Sequence, residues 1–230
     1  MLSDPRGARL RAEYLKAEAR LRRHGVRGTI LVMGSTRAAR RHPYYAVARE
    51  FGRLVARDGS AALMTGGGPG IMEAANRGAF EAGGLSIGLN VELPQRQIPN
   101  RYLTPGLCLT FRYFALRKLH FLLRARAFVA FPGGFGTFDE LFETLTLVQC
   151  GKIAPMPIVL VGRHYWRRAV GMDFLARAGM IAQRDRRLYR FADTAGEIWE
   201  AVSPSLGRTR RRPRRASRRA ARARAKRGAG

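Results

Sequence analysis

Two segments of this chain share one design, and that design leaves few folds open. Ala61-Ala-Leu-Met64 runs into Thr65-Gly-Gly-Gly-Pro-Gly70 and then into a helical pattern from Ile71 to about Ala82. Ala127-Phe-Val-Ala-Phe131 runs into Pro132-Gly-Gly-Phe-Gly-Thr137 and a helical pattern from Phe138 to Gln149. An apolar strand, a glycine-dense loop and a helix together make a phosphate-binding turn. Glycine lets the backbone approach an anion, and the free N–H groups of the helix start point at it. In a parallel sheet both loops fall at the C-terminal ends of strands, where ligands bind. A tight strand-to-helix turn without a ligand is the plain alternative for either loop alone. It is a poor account of both together.

The better-known versions of such loops do not fit. Gly66-Gly67-Gly68-Pro69-Gly70-Ile71 lacks the third glycine of GxGxxG, and neither loop has the Lys of GxxxxGK[ST]. Both departures argue against a dinucleotide oxidoreductase and against an ATPase.

The rest of the chain repeats the alternation. Residues 8–23 read as a charged lead-in helix, and Thr29 to Met33 as a buried strand ending at Gly34-Ser35. Val47, Phe51, Leu54 and Val55 mark one face of a helix over 43–57. Ser86 to Glu92 is a strand, 93–106 a loop, Phe111 to about Arg124 a helix and Pro157 to Val161 a strand. Two more helices fill 165–202. This order predicts an α/β fold, a Rossmann-like doubly wound parallel sheet in a single domain. The expected organisation is a lead-in over 1–26, the nucleotide-binding domain over 27–203, and a disordered basic tail over 204–230.

Charge reinforces the expectation of an anionic ligand. The chain carries 43 Lys and Arg against 16 Asp and Glu, a formal +27. Eleven Arg and one Lys, with no acid, lie between Pro204 and Gly230, yet the remainder still carries +15. Charge alone does not choose between a phosphate, a nucleic acid and a membrane surface. The tail can attract nucleic-acid backbones without sequence preference, or it is a solubilising extension. Cys108 and Cys150 form no disulfide framework, and no Cys/His cluster predicts a metal; a reduced, cytoplasmic setting is the simplest. Met1 to Gly25 has no apolar core of the signal-peptide kind, and no apolar run is long enough for a membrane span.

Three further groups carry chemistry. Thr137 and Glu140 have the spacing of a capping box. Alternatively the same helix start holds a phosphate, Thr137 adds a hydroxyl, and Glu140 points away from the anion. There a carboxylate can bind the adjoining ribose and stabilise an oxocarbenium ion. Arg117-Lys118 sits among Phe111, Phe114, Leu116, Leu119, Phe121 and Leu122, so at least one of the two bases is expected to face an anion. Glu73, in the first turn after the triple glycine, also complements a helix dipole.

Taken together these residues resemble the LONELY GUY (LOG) family, phosphoribohydrolases that release cytokinin bases from their riboside 5′-monophosphates. The family's PGGxGTxxE motif stands as Pro132-Gly133-Gly134-Phe135-Gly136-Thr137-Phe138-Asp139-Glu140, and its Arg-Lys pair as Arg117-Lys118. The resemblance covers roughly 27–202. It implies Arg117 and Glu140 as the catalytic pair. Gly133, Gly134, Gly136 and Thr137 would hold the 5′-phosphate, with Lys118 also binding substrate. Gly66, Gly67, Gly68, Gly70, Met72 and Glu73 would lie near the base or ribose, with Ser35 at the end of the first strand. Water would attack C1′ and release a base and ribose 5-phosphate, with no cofactor and no metal. A homodimer or larger homo-oligomer is implied too, using the apolar helices around 111–124 and 138–149. Plant members read GGGxxGLMG where this chain reads Gly66-Gly67-Gly68-Pro69-Gly70-Ile71-Met72-Glu73-Ala74, a bacterial form that leaves the base open between a cytokinin and a plain purine, as in AMP. The alternative is a non-catalytic nucleotide or molybdenum-cofactor carrier, since related Rossmann-like proteins hold that cofactor with similar loops. Relatives have also been labelled lysine decarboxylases, but no lysine here stands in a pyridoxal-phosphate context.

Overall fold

The computed structural model describes residues 5–94 and 98–207. Seven strands form one sheet: β1 (Thr29–Met33), β2 (Ala62–Thr65), β3 (Ser86–Val91), β4 (Cys108–Phe111), β5 (Ala125–Ala130), β6 (Ile158–Val161) and β7 (Arg190–Ala192). Their order is β4-β3-β2-β1-β5-β6-β7, and every neighbouring pair is parallel. The chain winds outward from β1 to β4, then returns to the other side of β1 as β5. The order therefore reverses between β1 and β5, the place where an open parallel sheet leaves a crevice at its strand ends.

Both faces of the sheet are covered, which is why its central strands read as continuous apolar runs. Leu31, Met33, Phe128, Ala130, Ile158 and Leu160 point to one core. There they meet α1 (Pro5–Arg23), α4 (Phe114–Leu122), α5 (Phe135–Gln149) and α6 (Arg163–Ala169) through residues such as Leu21, Phe121, Leu141 and Trp166. The alternate residues Ile30, Val32, Ala127, Val129, Val159 and Val161 face a second core. That one is closed by α2 (Pro43–Asp58), α3 (Ile71–Glu81) and α8 (Ala195–Val202). Each fully buried aliphatic side chain contributes roughly 1.5–3 kcal/mol. Gly52 and Gly78 let α2 and α3 cross in backbone contact, since a Cβ at either would collide with a carbonyl of the other helix (Ala75 and Arg49).

The doubly wound sheet matches the sequence expectation, with differences at its margins. Cys108–Phe111 is edge strand β4, between the expected loop over 93–106 and the helix expected from Phe111, and α4 begins only at Phe114. Four residues with alternating burial, paired on one side only, give too short a period to stand out beside the aromatic run that follows. The region 165–202 holds α6, α7 (Met172–Arg177), a 3-10 turn over Gln183–Arg187, β7 and α8 instead of two helices. Helix α5 starts at Phe135, three residues early, so Gly136 and Thr137 belong to its first turn and not to the loop. Ser203–Leu206 close the chain onto α8 as a 3-10 turn, and the tail expected to be disordered lies outside the described residues from 208 onward. Among the described residues no helix is long and apolar enough to cross a membrane.

Candidate functional site

The site forms where β1, β2 and β5 end. Ser35 follows β1 and is wedged between the two glycine loops. Its N–H donates to Pro132 O at 2.9 Å, and its own carbonyl accepts from Ile71 N at 3.0 Å. Gly70 has φ 70 and stands against Ser35 O and Thr36, leaving no space for a side chain. Gly133 packs in the same way on Thr137 and on Gly34, whose backbone carbon is 3.2 Å from where its Cβ would stand. One short segment after β1 thus sets the distance between the two loops.

A buried polar network holds the first loop open. Thr65 Oγ1 accepts from Gly67 N (2.9 Å) and donates to Asn76 Oδ1 (2.6 Å), while Asn76 Nδ2 donates to Ser86 Oγ (2.8 Å). Asn100 Nδ2 lies 3.1 and 3.0 Å from the carbonyls of Gly67 and Gly68 and 3.0 Å from Asn76 Oδ1. None of Thr65, Asn76, Ser86 or Asn100 was singled out from sequence. Asn76 had a signal, as the one polar residue on the inward stripe of α3; Asn100, in an irregular segment, had none. The second loop is braced by Tyr165, whose hydroxyl donates to Gly133 O at 2.5 Å.

Neither α3 nor α5 has a side-chain cap, whereas His42 and Thr194 cap α2 and α8. The capping-box reading of Thr137 and Glu140 therefore fails. The N-cap of α5 is Gly134, and Thr137 N already bonds Gly134 O at 2.9 Å. A helix that starts three residues early puts Thr137 in its first turn and carries Glu140 one turn deeper, facing inward. A Cβ at Gly134 or Gly136 would meet nothing within 4 Å, so the open side of this loop has room for a ligand.

Glu140 is 3% exposed, and its Oε2 is buried without a hydrogen-bond partner. Burial drives its pKa up to about 7, against the pull of Arg117 and Lys118. Arg117, 8% exposed, reaches from α4 under the first loop. Its Nε donates to Leu89 O at 2.7 Å, and its Nη2 lies 2.5 Å from where a Cβ of Gly66 would stand, with Met72 Sδ at 2.9 Å from the same point. Burial lowers the Arg117 pKa and Glu140 opposes that shift. The structure thus joins Gly66, Met72 and Arg117 on one side, and Ser35, Gly70, Gly133 and Thr137 on the other. Glu140 and Arg117 are coupled electrostatically between them.

Two expected ligand residues are otherwise engaged. Lys118 does not face the loops; it bridges α4 to α5 through Asp139 (2.9 Å) and Glu143 (3.1 Å). Adjacent helical residues point about 100° apart, so only one of the Arg-Lys pair can face the crevice. Glu73 accepts from Tyr45 Oη at 3.0 Å and pairs with Arg40 at 2.9 Å, which ties α3 to α2.

A family model described as "Possible lysine decarboxylase" matches residues 72–202, from the first turn of α3 to the end of α8. The chain belongs to this family. It is the family of the LONELY GUY proteins, as the motifs implied. The chain is 27% identical over 173 residues to a "Probable cytokinin riboside 5'-monophosphate phosphoribohydrolase LOG4" of Oryza sativa subsp. japonica, covering 74% of each chain. It is 28% identical over 180 residues to the "Cytokinin riboside 5'-monophosphate phosphoribohydrolase LOG" of the same plant, covering 77% of this chain and 73% of the relative. Among solved structures, the molybdenum cofactor carrier protein of Chlamydomonas reinhardtii is similar with a TM-score of 0.57 at 27% identity, covering 78% of this chain and 98% of the carrier.

Proposed function

We propose that this LONELY GUY family member hydrolyses the N-glycosidic bond of a purine nucleoside 5′-monophosphate. The observation that carries the reading is Glu140: a buried carboxyl with an unpartnered oxygen, one turn behind an uncapped glycine loop and beside a buried arginine. The first turn of α5, with Gly133, Gly134, Gly136 and Thr137, takes the 5′-phosphate. The ribose then lies toward Glu140. As the C1′–N9 bond breaks, positive charge develops on the sugar, and the carboxylate stabilises it more strongly in a dry site than it would in water. Water adds its oxygen to C1′. One of its protons ends on the departing purine, giving free base and ribose 5-phosphate. Arg117, held between Leu89 O and Gly66, orients the substrate or polarises the leaving base; Ser35, Gly67, Gly68, Gly70 and Met72 shape the base side. Glu73 and Lys118 act at one remove.

The proposal includes a second copy of the chain. Phe135 is 96% exposed and, with Phe142, lies at a groove on α5 lined by Phe138 and Leu147; Phe114, Leu119 and Leu123 are exposed along α4 and its C-terminal cap. Apolar exposure of this kind marks an interaction surface.

Two other readings are weighed by the same residues. A decarboxylase using pyridoxal phosphate needs a lysine amine free to form a Schiff base. Burial would lower the Lys118 pKa, but its bonds to Asp139 and Glu143 raise it, so the ammonium is held charged. Lys118, the lysine next to Arg117, therefore offers no free amine for such a cofactor. A carrier for a nucleotide-like cofactor is favoured by the Chlamydomonas neighbour, yet it has no use for a buried, unpaired carboxylate beside Arg117.

The deciding experiment incubates the protein with AMP and with isopentenyladenosine 5′-monophosphate and follows base release by chromatography. Release from both marks a broad purine-nucleotide hydrolase, and release from the modified nucleotide alone marks a cytokinin-activating enzyme. Tight binding without release overturns the proposal in favour of a carrier.

A further inference from the structure

Helix α1 lies outside the span matched by the family model, and its acids and bases are sorted by direction. It carries two glutamates, and both are used inward. Glu13 accepts from Arg112 N beyond the end of β4. Glu18 receives both Nη atoms of Arg124, at 2.6 and 2.7 Å, and lies 3.4 Å from His120 Nδ1. Part of its apolar surface is used inward as well: Ala17 and Leu21 are buried in the first core, and Tyr14 stacks on His120. Every charged residue it leaves exposed is basic, with Ala8, Ala12, Leu15 and Ala19 between them. Arg9, Lys16 and Arg23 are exposed and recur at every seventh position, which puts them on one side of the helix. At 1.5 Å per residue this stripe is roughly 20 Å long. Among the described residues none of the three takes part in an ion pair. Arg11 and Arg27 are exposed too, and among the described residues of α1 no acid is exposed.

We infer that the outward face of α1 binds the phosphodiester backbone of a polynucleotide. Three observations support a nucleic acid over a bilayer or a small anion. A helix that lies on a membrane needs a broad face of large apolar side chains, and α1 leaves only Leu15 of that kind exposed, beside the small Ala8, Ala12 and Ala19, with Leu21 buried in the protein core. A single phosphate needs a cradle, whereas this is an open row of charges, matched to a polymer of charges. The chain as a whole carries +27, so self-repulsion is relieved when a polyanion displaces its counterions. Lysine and arginine without partner acids, on a rigid helix, supply contacts that position a backbone without reading bases.

The experiment measures fluorescence anisotropy of a labelled single-stranded RNA of about 20 nucleotides, and of a DNA duplex of the same length, against the full chain between about 50 and 200 mM salt. The comparison protein is the full chain with Arg9→Gln, Lys16→Gln and Arg23→Gln. These surface changes keep helix propensity, and circular dichroism checks the fold. The wild type is expected to bind with steep salt dependence. The triple variant is expected to bind on the order of tenfold or more weakly, with the log–log salt slope for the single strand smaller by about 2. Preference for RNA or for duplex identifies the source of the backbone. An unchanged slope in the variant overturns the inference, because binding then resides elsewhere, as in the Arg-rich segment after 207. Absence of binding at low salt overturns it too, as does equal binding of phosphatidylserine vesicles that is lost in the same variant.

Discussion

Arg117 on α4 and Glu140 on α5 are buried opposite charges that feel one another yet share no hydrogen bond. Arg117 spends its Nε on Leu89 O, and Glu140 keeps Oε2 without a partner. A buried ion pair retained only for stability closes into direct contact, because otherwise the desolvation of both groups is poorly offset. On the proposed reading, this open pair has a third party, the substrate.

Replacing Glu140 with Gln is expected to abolish turnover while the protein stays folded. Loss of a carboxylate aimed at a developing charge costs on the order of 100- to 1,000-fold in kcat. Stability moves the other way. The folded pKa of Glu140 is about 7 against an ordinary 4.5. Its raised pKa contributes stability that is complete below about 4.5 and is lost as pH rises through about 7. The total is about 3 kcal/mol by linkage. Thermal melts of wild type should therefore decline from pH 5 to pH 8 relative to Glu140→Gln. If the variant melts lower than wild type at pH 8, the carboxylate is structural.

On the proposed reading, Lys118 is expected to set the pH range of activity without touching substrate. It neutralises Asp139 and Glu143, the two carboxylates that raise the Glu140 pKa, and adds its own lowering effect. In Lys118→Gln all of these shifts go upward. If the ionised carboxylate is the active form, kcat/KM of wild type rises with pH through about 7, and the variant's rise is displaced to higher pH. Activity of the variant should recover in alkaline buffer. A uniformly reduced profile with no displacement would instead mean that Lys118 binds substrate directly.

The fold was largely legible in the sequence because its central strands are buried on both faces, and β1, β2 and β6 run straight into a glycine, β5 into Phe131-Pro132-Gly133. Periodicity and turn chemistry there agree. Edge strands β4 and β7, four and three residues long, carry no such agreement. For the site, the motif pointed to Arg117 and Glu140, which are both buried and electrostatically coupled, Arg117 lying against Gly66 of the first loop. The start of α5 was misplaced because Phe135 and Gly136 look like loop residues, yet Phe135 is on the outer surface of the first turn, where a helix tolerates any side chain. Lys118 and Glu73 were read as ligand contacts because spacing along a helix does not say which neighbouring helix offers a counter-charge first. Asn100 was invisible for a different reason, since its role is to satisfy carbonyls of a loop far away in sequence.

That role gives a loop-shape prediction. In Asn100→Ala the Gly68 carbonyl loses its side-chain donor, Gly67 O keeps only the backbone N–H of residue 100, and Asn76 Oδ1 loses one of two donors. Unsatisfied buried groups cost about 1–3 kcal/mol each, and water can reach part of this half-buried site. The expected result is a loss of about 1–3 kcal/mol in denaturant melts and a raised KM with kcat less affected. A changed kcat at constant KM would place Asn100 in the chemistry instead.

The glycines separate site from scaffold. A methyl added at Gly66 meets Arg117 Nη2 at 2.5 Å and Met72 Sδ at 2.9 Å, both ends of flexible side chains that can move aside. Gly66→Ala is therefore expected to fold, with stability lowered by less than about 2 kcal/mol, while Arg117 is pushed out of line and kcat/KM falls at least tenfold; misplacement near 1 Å can cost about 100-fold. Gly70→Ala meets backbone, Ser35 O and Thr36, at a φ of 70 that alanine strongly resists. That protein should lose several kcal/mol or fail to accumulate. Measuring expression, melting temperature and base release on the two variants side by side tests the assignment. If Gly66→Ala retained full activity, Arg117 would not be held in working position by its contact with the first loop.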